Sequence, residues 1–226
     1  MEDYFKILSE DVRIKDNLTA CINCGVCTAI CPAAEYYEYE PRTIVVTVQS
    51  GDNQKIKELL ESDTIWYCGQ CMSCKTRCPR QNCPGMIISA LRYLSQKTGL
   101  FVKSKKGRQQ IYIKNSVGKN ILEIGYCMHP SRINPDEHPE QGPVWEWIYQ
   151  NREEFYASLG ANYEKDGAGT LRKIPNGVLD EIKSIFEVTG GIELLENIEK
   201  YSRIKAQELG YKNGEFDKYI NDVIEE

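Results

Sequence analysis

Apolar residues recur at steps of three and four along much of the chain. Near the amino terminus one such group comprises Tyr4, Phe5, Ile7 and Leu8. A longer group comprises Met86, Ile87, Ala90, Leu91 and Leu94. Pro84 predicts the start of the second helix and Gly99 its end. The dominant period therefore predicts a mainly α protein.

Residues 41–48 give two opposing signals. The β-branched run from Thr43 to Val48 favours a strand. Pro41, which suits the first turn of a helix, and the amphipathic run at 55–60 favour helices instead. The residues alone leave both alternatives open.

The carboxyl-terminal part, residues 141–226, is predicted to be a helical and acidic extension. Gly190 and Gly191 separate two of its helices. Its apolar groups are Trp145, Trp147, Ile148, Phe155, Tyr156 and Leu159; Leu179, Ile182, Ile185 and Phe186; Ile192, Leu195, Ile198 and Tyr201; and Phe216, Tyr219, Ile220 and Val223. These side chains are either core or interface, and the tryptophan-rich start favours binding of partner subunits.

Three parts are predicted along the chain: residues 1–100, an arm at 101–140 and the extension at 141–226. The arm is first basic and then rich in proline. Its basic residues are Lys103, Lys105, Lys106, Arg108, Lys114 and Lys119, and its prolines, with the next one, are Pro130, Pro135, Pro139 and Pro143. It is interpreted either as a solvated face followed by a loop or as a docking arm for an acidic partner.

Composition narrows the classes of function. The chain has 226 residues and a formal net charge of −5, which gives no general reason to expect nucleic-acid binding. With a mean hydropathy of −0.49 and only short apolar stretches, we expect no direct membrane insertion. No charged and then apolar leader opens the sequence, which predicts a cytoplasmic protein with reduced thiols.

Eight of the ten cysteines form two copies of one pattern, C-x2-C-x2-C-x3-C-P. The first run is Cys21, Cys24, Cys27 and Cys31, and the second is Cys68, Cys71, Cys74 and Cys78. This run is typical of proteins that hold [4Fe–4S] clusters. Zinc sites usually present separated C-x2-C pairs, so structural zinc is the weaker alternative. The sequence predicts two [4Fe–4S] clusters and electron transfer.

The runs resemble those of bacterial two-cluster ferredoxins, in which the fourth cysteine ligates the other cluster. That resemblance implies one cluster on Cys21, Cys24, Cys27 and Cys78 and the other on Cys68, Cys71, Cys74 and Cys31. Gly25 and Gly69 would let backbone N–H groups approach sulfur. Lys75 and Arg77 would raise the potential of the second cluster, unless they point to solvent and are screened.

No site for substrate chemistry is recognisable. Gly167 and Gly169 lack the rest of a dinucleotide motif, and nothing near His129 or His138 makes either one a metal ligand or a base. Cys83 and Cys127 stand outside the runs and are interpreted as non-ligands. The chain is therefore expected to be part of an oxidoreductase complex, with no catalytic site of its own.

Residues 21–33 and 62–71, with the Trp66-Tyr67-Cys68 entry and 36 residues between Cys31 and Cys68, resemble the C-type subunit of heterodisulfide reductases. The resemblance covers residues 1–100. It implies an α-helical ferredoxin fold in which residues 43–48 are helical. The carboxyl-terminal part exceeds the methanogen protein and, at 138–147 and 186–191, is similar to the heterodisulfide reductase-like complexes of sulfur-oxidising prokaryotes.

The family resemblance implies a relay of single electrons between an A-like flavoprotein and a catalytic B-like protein with Cys-Cys-Gly domains. Sulfur-compound oxidation and contact with a lipoate-binding protein through the complex are implied by the sulfur-oxidising version. Two alternatives remain: an iron–sulfur subunit of a flavin-linked dehydrogenase, and a structural or sensory iron–sulfur interaction module.

Overall fold

The computed structural model describes residues 2–136, 138 and 141–225, and in this part of the chain it contains helices and no strands. The α-helices are α1 Tyr4–Glu10, α2 Val12–Asn17, α3 Val26–Ala29, α4 Pro41–Ser50, α5 Asn53–Glu61, α6 Ser73–Arg77, α7 Pro84–Thr98, α8 Lys105–Arg108, α9 Gln110–Ile113, α10 Lys119–Ile124, α11 Pro143–Gln150, α12 Arg152–Ser158, α13 Asn176–Val188, α14 Gly191–Glu208 and α15 Phe216–Glu225. Short 3-10 helices cover Pro32–Glu35, Thr64–Trp66, Leu100–Lys103 and Pro130–Arg132, and a π-helical turn covers Lys114–Gly118. The predicted mainly α fold is confirmed.

Two compact units divide the chain. The cysteine unit comprises Met1–Gln110 and Asn197–Glu226, and the middle unit comprises Ile111–Glu196. These boundaries differ from those at 100 and 140 in the predicted three-part division. In particular, the end of the chain belongs to the unit that carries the cysteine runs.

Helix α7 is the centre of the cysteine unit, with α2, α4 and α5 packed against it. It begins with Pro84 at its first turn and ends at Gly99, whose φ of 77° closes the helix in the left-handed conformation. Both ends agree with the sequence prediction. Its buried positions include Ile87, Leu91 and Leu94, so the period-3.6 apolar stripe lies in the core.

Helix α4 resolves the ambiguity of residues 41–48 in favour of a helix. Its Ile44, Val45 and Val48 are buried in the core that also contains α7. Packing of these side chains outweighs the strand propensity of β-branched residues, which is a weak preference. Gly51, with a φ of 69°, ends the helix.

The end of the chain packs into the cysteine unit. Tyr219 and Val223 of α15 are buried, and Gln109 Nε2 donates to the Val223 carbonyl oxygen at 3.1 Å. A side chain on Gly99 would overlap the ring of Tyr201 on α14. These helices therefore help to bury the cysteine unit.

The segment predicted as a basic arm begins as a series of short helices from Leu100 to Ile124. Apolar Phe101 and Ile111 are buried between the lysines, which explains why this stretch is ordered. The sequence predicts that the prolines break regular structure, but Pro130 begins a 3-10 turn and Pro143 begins α11, because proline suits the first turn of a helix. Pro139, with Glu137 and Glu140, lies outside the described residues.

In the middle unit, helices α11, α12 and α13 contain no buried residue. Its interior is instead a series of aromatic contacts, in which the rings of His129, Tyr163 and Tyr156 stack at 5.5 and 5.7 Å. Many apolar side chains of these helices remain at the surface. No helix in the described part of the chain is both long and apolar enough to cross a membrane.

Candidate metal centre

The two cysteine runs follow the same backbone path. In each, the residue before the second cysteine and the residue after it have positive φ: Asn23 (57°) and Gly25 (81°) in the first run, Gln70 (52°) and Met72 (59°) in the second. These paired left-handed residues turn the chain sharply around the cysteines. The sequence repeat is therefore also a structural repeat.

A short helix follows each turn. Helix α3 begins after Gly25 and carries Cys27, whereas α6 begins after Met72 and carries Cys74. The two helices pack against each other. The packing explains how the end of one run can reach the start of the other.

Two cavities result, each lined by four cysteines taken from both runs. The first cavity is lined by Cys21, Cys24, Cys27 and Cys78. The second cavity is lined by Cys31, Cys68, Cys71 and Cys74. These are the two sets that the exchange of fourth cysteines implies.

The cysteines surround a space rather than a point. Within the described residues, no three His, Cys, Asp or Glu side chains are grouped as ligands of one metal ion. In each cavity one cysteine is exposed, Cys24 in the first and Cys71 in the second, and the other three are half-buried. Each cavity thus has one edge that is open to solvent.

Each run is anchored at its first cysteine by a side chain from the helical core. Gln49 of α4 accepts from the Cys21 N–H at 2.5 Å and donates to the Cys21 carbonyl oxygen at 3.4 Å. Arg92 of α7 donates to the carbonyl oxygens of Ile65 and Cys68 at 2.7 and 2.6 Å. Nothing in the local sequence around the cysteines signals either anchor.

Hydrogen bonds and burial act on several of the thiols. Burial raises the pKa of Cys27, and it raises the pKa of Cys74 to about 11, against an opposing hydrogen bond from the Gly85 N–H. A hydrogen bond with the Ser73 side chain lowers the pKa of Cys71. Since iron binds the thiolate, cluster assembly must displace protons from these two half-buried thiols.

The side chains around the cavities fit iron–sulfur clusters. Eight thiols are the donors that iron–sulfur clusters prefer. Gly85 lies against the second cavity, where an added Cβ would come within 2.8 Å of the Met72 Sδ and 3.9 Å of the Cys74 Sγ. Two buried polar groups that line the cavities, the Tyr39 hydroxyl and the Asn82 amide nitrogen, have no partner in the protein. Both are donors, as required beside anionic sulfur.

The sequence also singled out two glycines and two basic residues inside the runs and two further cysteines outside them, and their backbone conformation and exposure differ. Gly25 has the positive φ that favours glycine, whereas Gly69 has none. Lys75 and Arg77 are exposed, so solvent and salt screen their charges. Cys83 is buried with its Sγ 3.7 Å from the Met72 Sδ, Cys127 is exposed, and neither lines a cavity.

Comparison with known proteins agrees with this geometry. Residues 17–82 match the family model of the 4Fe-4S dicluster domain. The chain is 32% identical over 195 residues to the C-type subunit of ferredoxin:CoB-CoM heterodisulfide reductase from Methanosarcina acetivorans, which covers 86% of this chain and 70% of that protein. It is 33% identical over 126 residues to the C-type iron–sulfur subunit of CoB–CoM heterodisulfide reductase from Methanopyrus kandleri, covering 54% and 64%. It is 37% identical over 93 residues to the C-type iron–sulfur subunit 2 of CoB–CoM heterodisulfide reductase from Methanocaldococcus jannaschii, and this match covers 41% of this chain and 47% of that protein.

One expectation from the sequence needs correction. A match of 195 residues in a chain of 226 must extend at least to residue 195, so part of the carboxyl-terminal extension is shared with the Methanosarcina protein. The prediction that this part exceeds the methanogen protein is wrong for that relative.

The family of the chain follows from these observations. The chain has a dicluster ferredoxin domain for two [4Fe–4S] clusters, its cysteine loops are repeated, and it matches the Methanosarcina protein along most of both chains. The chain therefore belongs to the family of C-type iron–sulfur subunits of heterodisulfide reductase.

Proposed function

We propose that this chain relays single electrons between an A-like flavoprotein and a B-like Cys-Cys-Gly protein of a heterodisulfide reductase complex. The observation that carries the proposal is the pair of cavities, each lined by four cysteines from both runs. When bound there, [4Fe–4S] clusters supply one-electron chemistry at two neighbouring positions.

The protein residues hold, shield and expose these positions. Cys21, Cys24, Cys27 and Cys78 would hold one cluster, and Cys31, Cys68, Cys71 and Cys74 the other. Buried Ile88 and Pro84 exclude water from the inner wall of the second cavity. The exposed Cys24 and Cys71 give each cluster an edge that a partner protein can approach.

Partner binding is proposed for the middle unit. Val144, Trp147, Leu159, Ile185 and Val188 are 57–85% exposed on or just after helices that bury no residue. Large apolar side chains left at the surface of a protein from a multisubunit family favour an interface. The end of the chain packs in the cysteine unit, so the interface proposal is confined to residues 141–196.

Two physiological reactions are proposed for the complex: heterodisulfide reduction and sulfur-compound oxidation. The names of the relatives concern heterodisulfide reduction. Sulfur-compound oxidation, with a lipoate-binding protein in contact with the complex, is the second reaction and rests on the resemblance of residues 138–147 and 186–191 to sulfur-oxidising complexes; both segments also lie within the match to the Methanosarcina protein. A cytoplasmic location accompanies both versions.

Anaerobic purification of the native complex tests the relay. We expect about eight irons and eight sulfides per chain, co-purification of a flavoprotein and a Cys-Cys-Gly protein, and reoxidation of the reduced clusters by the latter. Clusters that cannot be reduced reversibly would contradict the relay and favour a structural or sensory module. A flavoprotein without a Cys-Cys-Gly protein would favour a flavin-linked dehydrogenase.

Variants Trp147→Glu and Val188→Glu test the interface. Both are expected to abolish co-purification while the iron content stays unchanged, because the residues are exposed and belong to the middle unit. Val12→Glu is a matched control, since Val12 is 64% exposed on the cysteine unit. Retention of both partners by the two variants would contradict the proposed interface.

A further inference from the structure

A buried polar group without a hydrogen-bond partner is costly, so one that also lines a ligand cavity is a candidate to bind the ligand. Several buried groups without a partner exist in the described residues, and they include the Tyr39 hydroxyl and the Asn82 Nδ2. Asn82 lines the first cavity and Tyr39 the second. Each cysteine cavity therefore has one buried donor that the protein leaves unsatisfied.

Tyr39 is 2% exposed, and its ring packs edge-on against Tyr67 at 6.3 Å. Tyr67 in turn stacks on Tyr37 with the rings 4.3 Å apart, so the tyrosine is held in place by other rings. The Tyr39 hydroxyl has no hydrogen-bond partner in the protein, and Cys68 lies beside it in the wall of the same cavity.

The orientation of the Asn82 amide is fixed by a neighbour. The backbone N–H of Thr19 donates to Asn82 Oδ1 at 2.6 Å, and the Thr19 hydroxyl contacts the same oxygen at 2.8 Å. Because a backbone N–H can only donate, the atom that it contacts must be the oxygen. Nδ2 is thereby left as the free donor of a side chain that is 2% exposed.

We propose that Asn82 and Tyr39 each donate a hydrogen bond to sulfur of one cluster, Asn82 in the first cavity and Tyr39 in the second. An unpaired buried donor is costly, and a bound cluster places sulfide and cysteine thiolate acceptors in the cavity that each donor lines. Donors to sulfur stabilise the reduced, more negative state and raise the reduction potential. The two residues therefore set the potentials of the two clusters separately, which deepens the proposed relay and rests on it.

Tyr39→Phe tests the second half of the proposal. The variant keeps the ring contact with Tyr67 and removes the hydroxyl alone. In EPR-monitored titrations of the full chain we expect a lower potential for the second cluster and no change for the first. Tyr67→Phe is the matched control. Tyr67 packs against Tyr39 but does not line the cavity, so removing its hydroxyl should leave both reduction potentials unchanged.

Asn82→Ala tests the first half. We expect a lower potential of the first cluster alone. Thr19→Ala removes the hydroxyl that contacts Oδ1 but leaves the amide donor in place, so it should not move the potential. Equal shifts in both variants would assign the effect to loop structure and overturn the role of Asn82.

Resonance Raman spectra of the oxidised protein in H₂O and D₂O give a readout that needs no reduction. We expect the deuterium sensitivity of the Fe–S stretching bands to decrease in Tyr39→Phe and in Asn82→Ala. Unchanged sensitivity and unchanged potentials would overturn the inference while leaving the relay intact. Clusters that cannot be reduced in the unmodified chain would overturn the relay, and the Raman comparison would still decide on the two donors.

Discussion

The two cysteine loops share one backbone path but differ in what holds and surrounds them. Gln49, an exposed and neutral side chain, anchors the first loop, whereas the half-buried guanidinium of Arg92 anchors the second. Arg42 and Arg80 line the first cavity, whereas Tyr39 and Met72 line the second. A duplicated motif thus gives two sites with the same ligands and different environments, and environment is what separates the potentials of chemically identical clusters.

Replacing the two anchor residues, Arg92 and Gln49, should give the largest difference in stability between the two loops. Arg92→Met should lower the free energy of unfolding by about 3 kcal/mol, because it leaves two carbonyl oxygens without a charged donor. We expect the second cluster to be lost first. Denaturant titration with iron analysis measures both effects.

Gln49→Met is the matched control for Arg92→Met. The hydrogen bonds that Gln49 makes with the Cys21 backbone are exposed and neutral. The free energy of unfolding should therefore fall by about 1 kcal/mol, and the first cluster should be retained. An equal loss for the two variants would show that the burial and charge of the anchor do not matter.

Gly85→Ala should weaken the second site selectively. Its Cβ would come within 2.8 Å of the Met72 Sδ and must displace that side chain from the cavity wall. Gly69→Ala is the control, because Gly69 lines the same cavity but no atom lies within 4 Å of its added Cβ. Iron content and EPR intensity of the second cluster should decrease for the first variant only; a decrease for both would make helix or loop propensity the cause.

Arg42→Gln should produce a smaller effect, which is a change in the reduction potential of the first cluster alone. Its guanidinium lines the first cavity but is half-exposed and paired with Glu40 at 2.8 Å, so solvent and salt screen it. We expect a lower potential of the first cluster at low salt and a much smaller shift at high salt. A shift that is independent of salt would indicate a structural effect instead.

Cys83→Ser and Cys127→Ser should leave the iron content unchanged. Neither residue lines a cavity, although Cys83 is buried beside Met72 and its replacement will cost some stability. A loss of iron in either variant would mean that a ligand has been assigned wrongly.

The helical elements were predictable because they depend on local spacing, and the resemblance to two-cluster ferredoxins implied the sets of cysteines that line each cavity. Pro84 and Gly99 delimit α7, and the two cysteine runs pair as the ferredoxin pattern implies. The helix at 41–50 was ambiguous, because its stability comes from core contacts of Ile44 and Val48 that strand propensity ignores.

The surroundings of the cavities were not predictable. Arg92 anchors a cysteine 24 positions earlier, and Tyr39 faces Cys68 from 29 positions away. A single arginine or tyrosine in a helical or irregular segment has no signature that distinguishes it from a surface residue. Its function arises only when the fold brings it to the cysteine loop.

The exchange of the fourth cysteines is the central claim, and a paired EPR measurement of Cys31→Ser and Cys78→Ser tests it most directly. Cys31→Ser is expected to damage the cluster of Cys68, Cys71 and Cys74, and Cys78→Ser the cluster of Cys21, Cys24 and Cys27. Loss of the signal that belongs to the same run as each mutated cysteine would contradict the account.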